Sequence, residues 1–150
     1  MNSFKEKNPI DRVGAIFLLR TDGAALLQLR DDKPGLRHAG QWVPPGGHAE
    51  PEEGIEACAK RELLEETNYR CGDLYRLVEF VDVVADWPSY VLTVFWDLYD
   101  SIQALVCNEG QELRFIGRNE VDKYPIPSYL VPIWDIALEQ ANVKGLISND

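Results

Sequence analysis

From Pro51 to about Thr67 the chain reads as a helix whose apolar stripe also carries glutamates, a combination that few folds accommodate. Successive helical residues turn by about 100°, so positions three and four apart share a face. With Glu62 as origin, Ile55 lies near +20°, Cys58 near about −40°, Ala59 near +60° and Leu63 near +100°. These apolar residues mark the inward face. Glu66 falls at about +40° and Glu65 at about −60°, so three carboxylates project within a sector of roughly 100° that overlaps it.

A charge run on a helix is ordinarily a solvated face. Here the geometry argues otherwise, because Glu62 and Glu66 continue the apolar stripe. Carboxylates gathered beside a core repel one another, and burial penalises each ionised form. Either some of them bind protons or a cation neutralises them. Hard oxygen donors at this density suit Mg²⁺ or Mn²⁺, which keep waters and substrate phosphates among their ligands. Arg61 lies about 40° from Glu65 and can hold a carboxylate in place. Just upstream, Pro45-Gly46-Gly47 lets backbone approach closely, and its carbonyls can supply a further ligand.

The rest of the chain supplies a frame for that helix. Arg12 to Arg20 reads as a strand, Thr21-Asp22-Gly23 as a turn and Ala24 to Arg30 as its hairpin partner. Asp31 to Gln41 is a polar loop, followed by a short extended piece at Trp42 and Val43 that Pro44-Pro45-Gly46-Gly47 terminates. Pro51 suits the first helical position. Leu74 to Val84 and Tyr90 to Tyr99 read as long strands joined by a loop at Asp86-Trp87-Pro88, and Leu113 to Ile116 as a short one. Ser128 to Ala141 is an amphipathic helix with apolar residues at spacings of three and four. Helices at the middle and end of a largely β chain predict an α+β fold, a mixed sheet covered on two faces. At 150 residues the expectation is a single domain over 1–150.

Charge narrows the function. With 15 Lys+Arg against 25 Asp+Glu the formal net charge is −10, which disfavours a nucleic-acid polymer or a membrane surface as partner. A small anionic substrate is compatible provided bound cations supply positive charge. Cys58, Cys71 and Cys107 show no close metal-type pairing and read as small hydrophobes in a reducing compartment. No segment reads as a signal peptide or approaches a membrane span. A cytoplasmic protein is expected.

The stretch Gly47 to Tyr69 resembles the Nudix box, G-x5-E-x7-R-E-U-x-E-E-x-G-U with U a bulky aliphatic residue. Gly47, Glu53, Arg61, Glu62, Leu63, Glu65 and Glu66 fall on its defined positions in register. Asn68 stands where the box closes with glycine, and Tyr69 where an aliphatic residue is usual. That glycine resembles a helix-ending residue at positive φ, which asparagine tolerates better than other side chains.

The resemblance implies an α/β/α sandwich and Mg²⁺-dependent hydrolysis of the diphosphate linkage of a nucleoside diphosphate derivative, with Mn²⁺ as an alternative cation. It makes Glu62, Glu66 and the Gly46 carbonyl metal ligands. Glu65 becomes a further ligand or a neighbour of the attacking water, and Arg61 and Glu53 orient the glutamates. An acidic residue from a distant loop often joins such a site; Glu109 is favoured here over Glu112. A homodimer is compatible with the resemblance. Beyond it, Arg20, Arg30 and Arg37 are candidates to meet phosphates. Trp42, Trp87, Tyr90 and Trp96 are candidates to stack on a base, with Trp87 preferred for its loop position. His48, beside Gly47, is a candidate substrate contact. The alternative reading is a non-catalytic module that binds a nucleotide derivative without cutting it.

Overall fold

A computed structural model describes residues 11–148. In chain order the elements are β1 (Asp11–Leu19), β2 (Ala25–Leu29), β3 (Trp42–Val43), β4 (Gly46–His48), α1 (Ile55–Thr67), β5 (Tyr75–Asp82), β6 (Tyr90–Leu98), β7 (Glu112–Ile116), a 3₁₀ helix (Arg118–Lys123) and α2 (Leu130–Val143). The sheet runs β3-β2-β1-β6-β5, with β4 joined to β1 and β7 to β2. The β1–β6 pair is parallel and the other pairs are antiparallel, so the sheet is mixed.

β1 organises both faces. Its side chains alternate, as those of any strand do. Ala15, Phe17 and Leu19 join Leu130, Ile133, Trp134, Ala137 and Ala141 of α2. Ile16 and Leu18 point the other way and pack with Leu26, Ala59, Leu63, Tyr69 and Phe95. Two helices on opposite faces of one mixed sheet realise the expected sandwich. Leu63 and Trp134 are fully buried, and a leucine so placed contributes roughly 1.5–3 kcal/mol relative to exposure.

A fork in the sheet positions the site. Opposite β6, the edge of β1 is shared: β4 pairs with Val13, Gly14 and Ala15, while β2 pairs only at Leu19. The Pro44 to Gly47 segment is therefore not merely a terminator, as the sequence suggested; Gly46 to His48 forms a strand. Glycine permits it. A Cβ on Gly46 would collide with the Gly14 carbonyl, and a Cβ on Gly14 would sit 3.0 Å from the Ile55 carbonyl.

The helix also begins later than expected, at Ile55 rather than Pro51. Pro51 and Glu52 form a turn in which Glu52 takes φ 68°, and the Glu53 carboxylate receives the Glu50 N–H at 3.0 Å. That local bond competes with helical pairing and delays the helix by a turn. The 3₁₀ helix had no counterpart in the sequence reading. At the other end of α1, Asn68 is left-handed at φ 66° and its N–H donates to the Leu64 carbonyl, as the glycine it replaces would. Tyr69 is buried, and its hydroxyl reaches the Leu98 carbonyl at 3.3 Å.

Candidate active site

The three helix glutamates share a face but not an environment. Glu66 is only 2% exposed, whereas the side chains of Glu62 and Glu65 are 19% and 51% exposed. Arg61 sorts them. Its Nη1 donates to Glu62 Oε2 at 2.7 Å and Glu65 Oε1 at 3.0 Å. Its Nε and Nη2 grip Glu53 at 2.8 and 2.9 Å, and Nη2 also reaches the His48 carbonyl at 3.1 Å. Held by these bonds and by the Glu50 N–H, the Glu53 carboxyl is pulled down to about 2. Glu62 is packed over Gly47, where any Cβ would overlap its carboxylate.

Glu66 stands apart. Both its oxygens are buried without a hydrogen-bond partner among the described residues. Burial, then the charge of Glu109, then that of Glu62 push its pKa up to about 9, while the nearby Gln28 amide pulls it down. Such a group is costly unless it takes a proton or meets a cation.

Two residues that complete this corner escaped the sequence reading. Gln28 follows Leu26 by two positions on β2 and so faces α1. It is buried, and its Nε2 donates to the Glu109 carbonyl at 2.9 Å. Asn108 binds the end of α1 through the Glu66 and Glu65 carbonyls, at 2.9 and 3.1 Å. Between them they bring Glu109 to Glu66. The rival Glu112 lies on β7 and pairs with Arg114 at 2.6 Å.

In front of this corner opens a cleft of about 400 Å³ lined by Val13, Arg30, Arg37, His38, Gly46, Gly47, His48, Glu62, Tyr90 and Glu109. A second lobe of about 320 Å³, lined by Gln28, Arg30, Asp31, Leu36, Glu109 and Gly110, shares Arg30 and Glu109 with it. Arg30 has a buried Nε without a hydrogen-bond partner among the described residues. Arg37 is committed: it lies 4.2 Å over the Tyr90 ring, pairs with Asp82 at 3.3 Å and donates to the Pro88 carbonyl at 3.0 Å. His38, half-buried between Gln41 and Tyr129, has its pKa lowered chiefly by burial.

The other aromatic candidates lie elsewhere. Trp87 is in the β5–β6 loop and does not line the cleft. Trp42 and Trp96 are core residues. Arg20 pairs with Asp22 at 2.7 Å and lines neither lobe of the cleft. A larger groove of about 710 Å³ runs between β5 and α2, but its lining contains no cluster of buried carboxylates. Chemistry favours the smaller cleft.

Among the described residues no three His, Cys, Asp or Glu side chains form a ready-made metal-binding group. Arg61 occupies Glu62 and Glu65 instead. The unsatisfied Glu66 oxygens, with Glu62 and Glu109 beside them, still fit a hard cation that takes few protein ligands.

A family model described as the NUDIX domain matches residues 9–133. The chain belongs to the NUDIX family. Its relatives include Putative nudix hydrolase 1 of Caenorhabditis elegans, 27% identical over 139 residues, 91% of this chain and 33% of that protein. The chain thus spans a third of that relative's length. It is also 27% identical over 120 residues to Nucleoside triphosphatase NudI of Escherichia fergusonii, covering 73% of this chain and 84% of that one. A cocrystal structure of the NUDIX domain of Shewanella oneidensis NrtR, complexed with ADP ribose, shares the fold at a TM-score of 0.74 and 19% identity, covering 91% of each chain. The NUDIX box falls where α1, β4 and the turn between them meet, and its Arg61 ties the three together. No helix among the described residues is long and apolar enough to cross a membrane.

Proposed function

We propose that residues 1–150 act as one NUDIX domain that hydrolyses the diphosphate linkage of a nucleoside diphosphate derivative with the help of a divalent cation. The observation that carries this reading is Glu66: a buried carboxylate without a hydrogen-bond partner among the described residues, neighboured by Glu62 and Glu109, which line an open cleft. A fold gains nothing from such a group unless something binds it.

Glu62, Glu66 and the Gly46 carbonyl would hold the cation, with Glu109 beside them. Bound there, Mg²⁺ or Mn²⁺ would offset the charge of the diphosphate and acidify a water. Glu65, half-exposed and hydrogen-bonded to Arg61, is the group assigned to orient that water. Glu53 anchors Arg61, so that Arg61 keeps Glu65 aimed. Water would add to one phosphorus as the bridging P–O bond breaks, its proton passing to solvent, to give a nucleoside monophosphate and a second phosphate-bearing product. Arg30 is the cleft's uncommitted guanidinium and is assigned to a phosphate. Arg37, which lies over the Tyr90 ring and lines the cleft, is assigned to a base. The acidic chain then accepts an anion because the cation and Arg30 reverse the local sign.

The reading is tested by incubating the protein with nucleoside triphosphates, nucleotide sugars, ADP-ribose and dinucleoside polyphosphates, with Mg²⁺ and then with chelator. We expect chelator-sensitive release of a monophosphate from at least one. Thermal stabilisation by a nucleotide with no turnover at all would instead support the binding module. The three cysteines are free thiols and fit a cytoplasmic setting.

A further inference from the structure

Asn68 departs from the glycine that closes the box, and its side chain does something that glycine cannot. Both residues end the helix by turning left-handed and capping Leu64. Asn68 also accepts a hydrogen bond through Oδ1 from Asn108 Nδ2 at 2.7 Å. The same Nδ2 donates to the Glu65 carbonyl at 3.1 Å. The Asn108 N–H meets the Glu66 carbonyl and the Val106 N–H meets the Thr67 carbonyl, both at 2.9 Å. Helix ends leave their last carbonyls open; here a loop from across the sheet takes three in a row.

The next residue on that loop is Glu109. It borders both lobes of the cleft, so its own side has open space to move into. Behind it, Gly110 at φ 78° packs its Cα against the Leu29 carbonyl, and Gln28 holds the Glu109 carbonyl. Asn108 ties Glu109 to the helix end, Cys107 Sγ adds a bond to the Glu109 carbonyl at 3.3 Å, and Asn68 and the Glu65 carbonyl together orient the Asn108 side chain, Asn68 through the shorter bond.

We propose that Asn68 is a positioning residue: its carboxamide clasps Asn108 and so holds Glu109 against Glu66 and Glu62, where a divalent cation binds. This rests on the hydrolase reading above. Asn68→Gly is the clean probe, because glycine relaxes at φ 66° whereas Asn68→Ala would add backbone strain. Three quantities are compared with the wild type: Mn²⁺ affinity without substrate by electron paramagnetic resonance, amide exchange over residues 106–110, and the split between kcat and KM.

Asn68→Gly should bind Mn²⁺ about fivefold more weakly, the weight of one hydrogen bond, and exchange the loop amides about fivefold faster. Its KM for nucleotide and its melting temperature should hold. In an Asn108→Ala background the same substitution should add nothing further. Asn68→Asp, which keeps the acceptor and tolerates the left-handed backbone, should restore loop protection. Unchanged Mn²⁺ affinity in Asn68→Gly, with or without faster exchange, overturns the proposal, as does a full additional loss in the Asn108→Ala background. A wild-type protein that binds no Mn²⁺ overturns the hydrolase reading and the clasp with it, a failure recognisable before any substitution is made.

Discussion

α1 and α2 cover opposite faces of the same sheet, yet they bury different chemistry. α2 commits Leu130, Ile133, Trp134, Ala137 and Ala141 to the core and nothing charged. α1 buries Cys58, Ala59 and Leu63 and then, one turn on, Glu66 and Thr67. Thr67 is satisfied by the Leu63 carbonyl at 2.7 Å. Glu66 has no such bond among the described residues. One helix maximises packing; the other gives up part of its packing face to hold an acid where water cannot relieve it.

The contrast can be broken by substitution. Trp134→Ala on α2 should cost about 3–5 kcal/mol of stability, read as a fall in denaturant midpoint. Any surviving folded fraction should keep its KM. Glu66→Gln should do the reverse, lowering kcat about 10²- to 10³-fold while leaving the metal-free protein as stable as before or more so. Full activity in that variant would remove Glu66 from the site.

Gly47→Ala sharpens the comparison further. The new methyl lands on the flexible end of Glu62, so stability should change by less than about 1 kcal/mol while turnover drops by up to about a hundredfold. A substantial loss of stability there would mean that Gly47 serves the fold rather than Glu62.

The remaining effect is one of pH. Because the folded-state pKa of Glu66 is raised to about 9, the folded protein binds more protons than the unfolded chain from the ordinary carboxylate range up to that value. Stability is therefore fully present below the unfolded pKa and declines as pH climbs toward 9. Between pH 5 and pH 9 in chelator the melting temperature should fall steadily, and Glu66→Gln should flatten the slope. A slope that survives the substitution would assign the effect to other groups.

Much of the carboxylate helix could be read in advance because helical neighbours are set by spacing. The overlap of Glu62 and Glu66 with Ile55, Cys58 and Leu63 is a property of seventeen consecutive residues. The left-handed cap at Asn68 was legible from the resemblance instead, because Asn68 stands where the box closes with a helix-ending glycine. β4 was missed because two prolines and two glycines look like a loop, and only the close packing of Gly46 against Gly14 and Ala15 makes a strand of them. The start of α1 was misplaced by the Glu53 side chain, whose bond to the Glu50 N–H holds a turn open.

The amino-acid order alone determined that a trio of acids would share one helical sector with Arg61 beside it, since backbone geometry repeats every 3.6 residues or so whatever surrounds it. Tertiary structure decided how unlike those acids would be. Glu66 meets Glu109 because the chain returns from β6 and docks Asn108 on the end of α1, and Gln28 faces them because β2 presents that side to the helix. Residues 81 positions apart, as Gln28 and Glu109 are, become neighbours through strand register and loop path. Burial and repulsion, which set the proton affinity of Glu66, exist only once those neighbours have arrived.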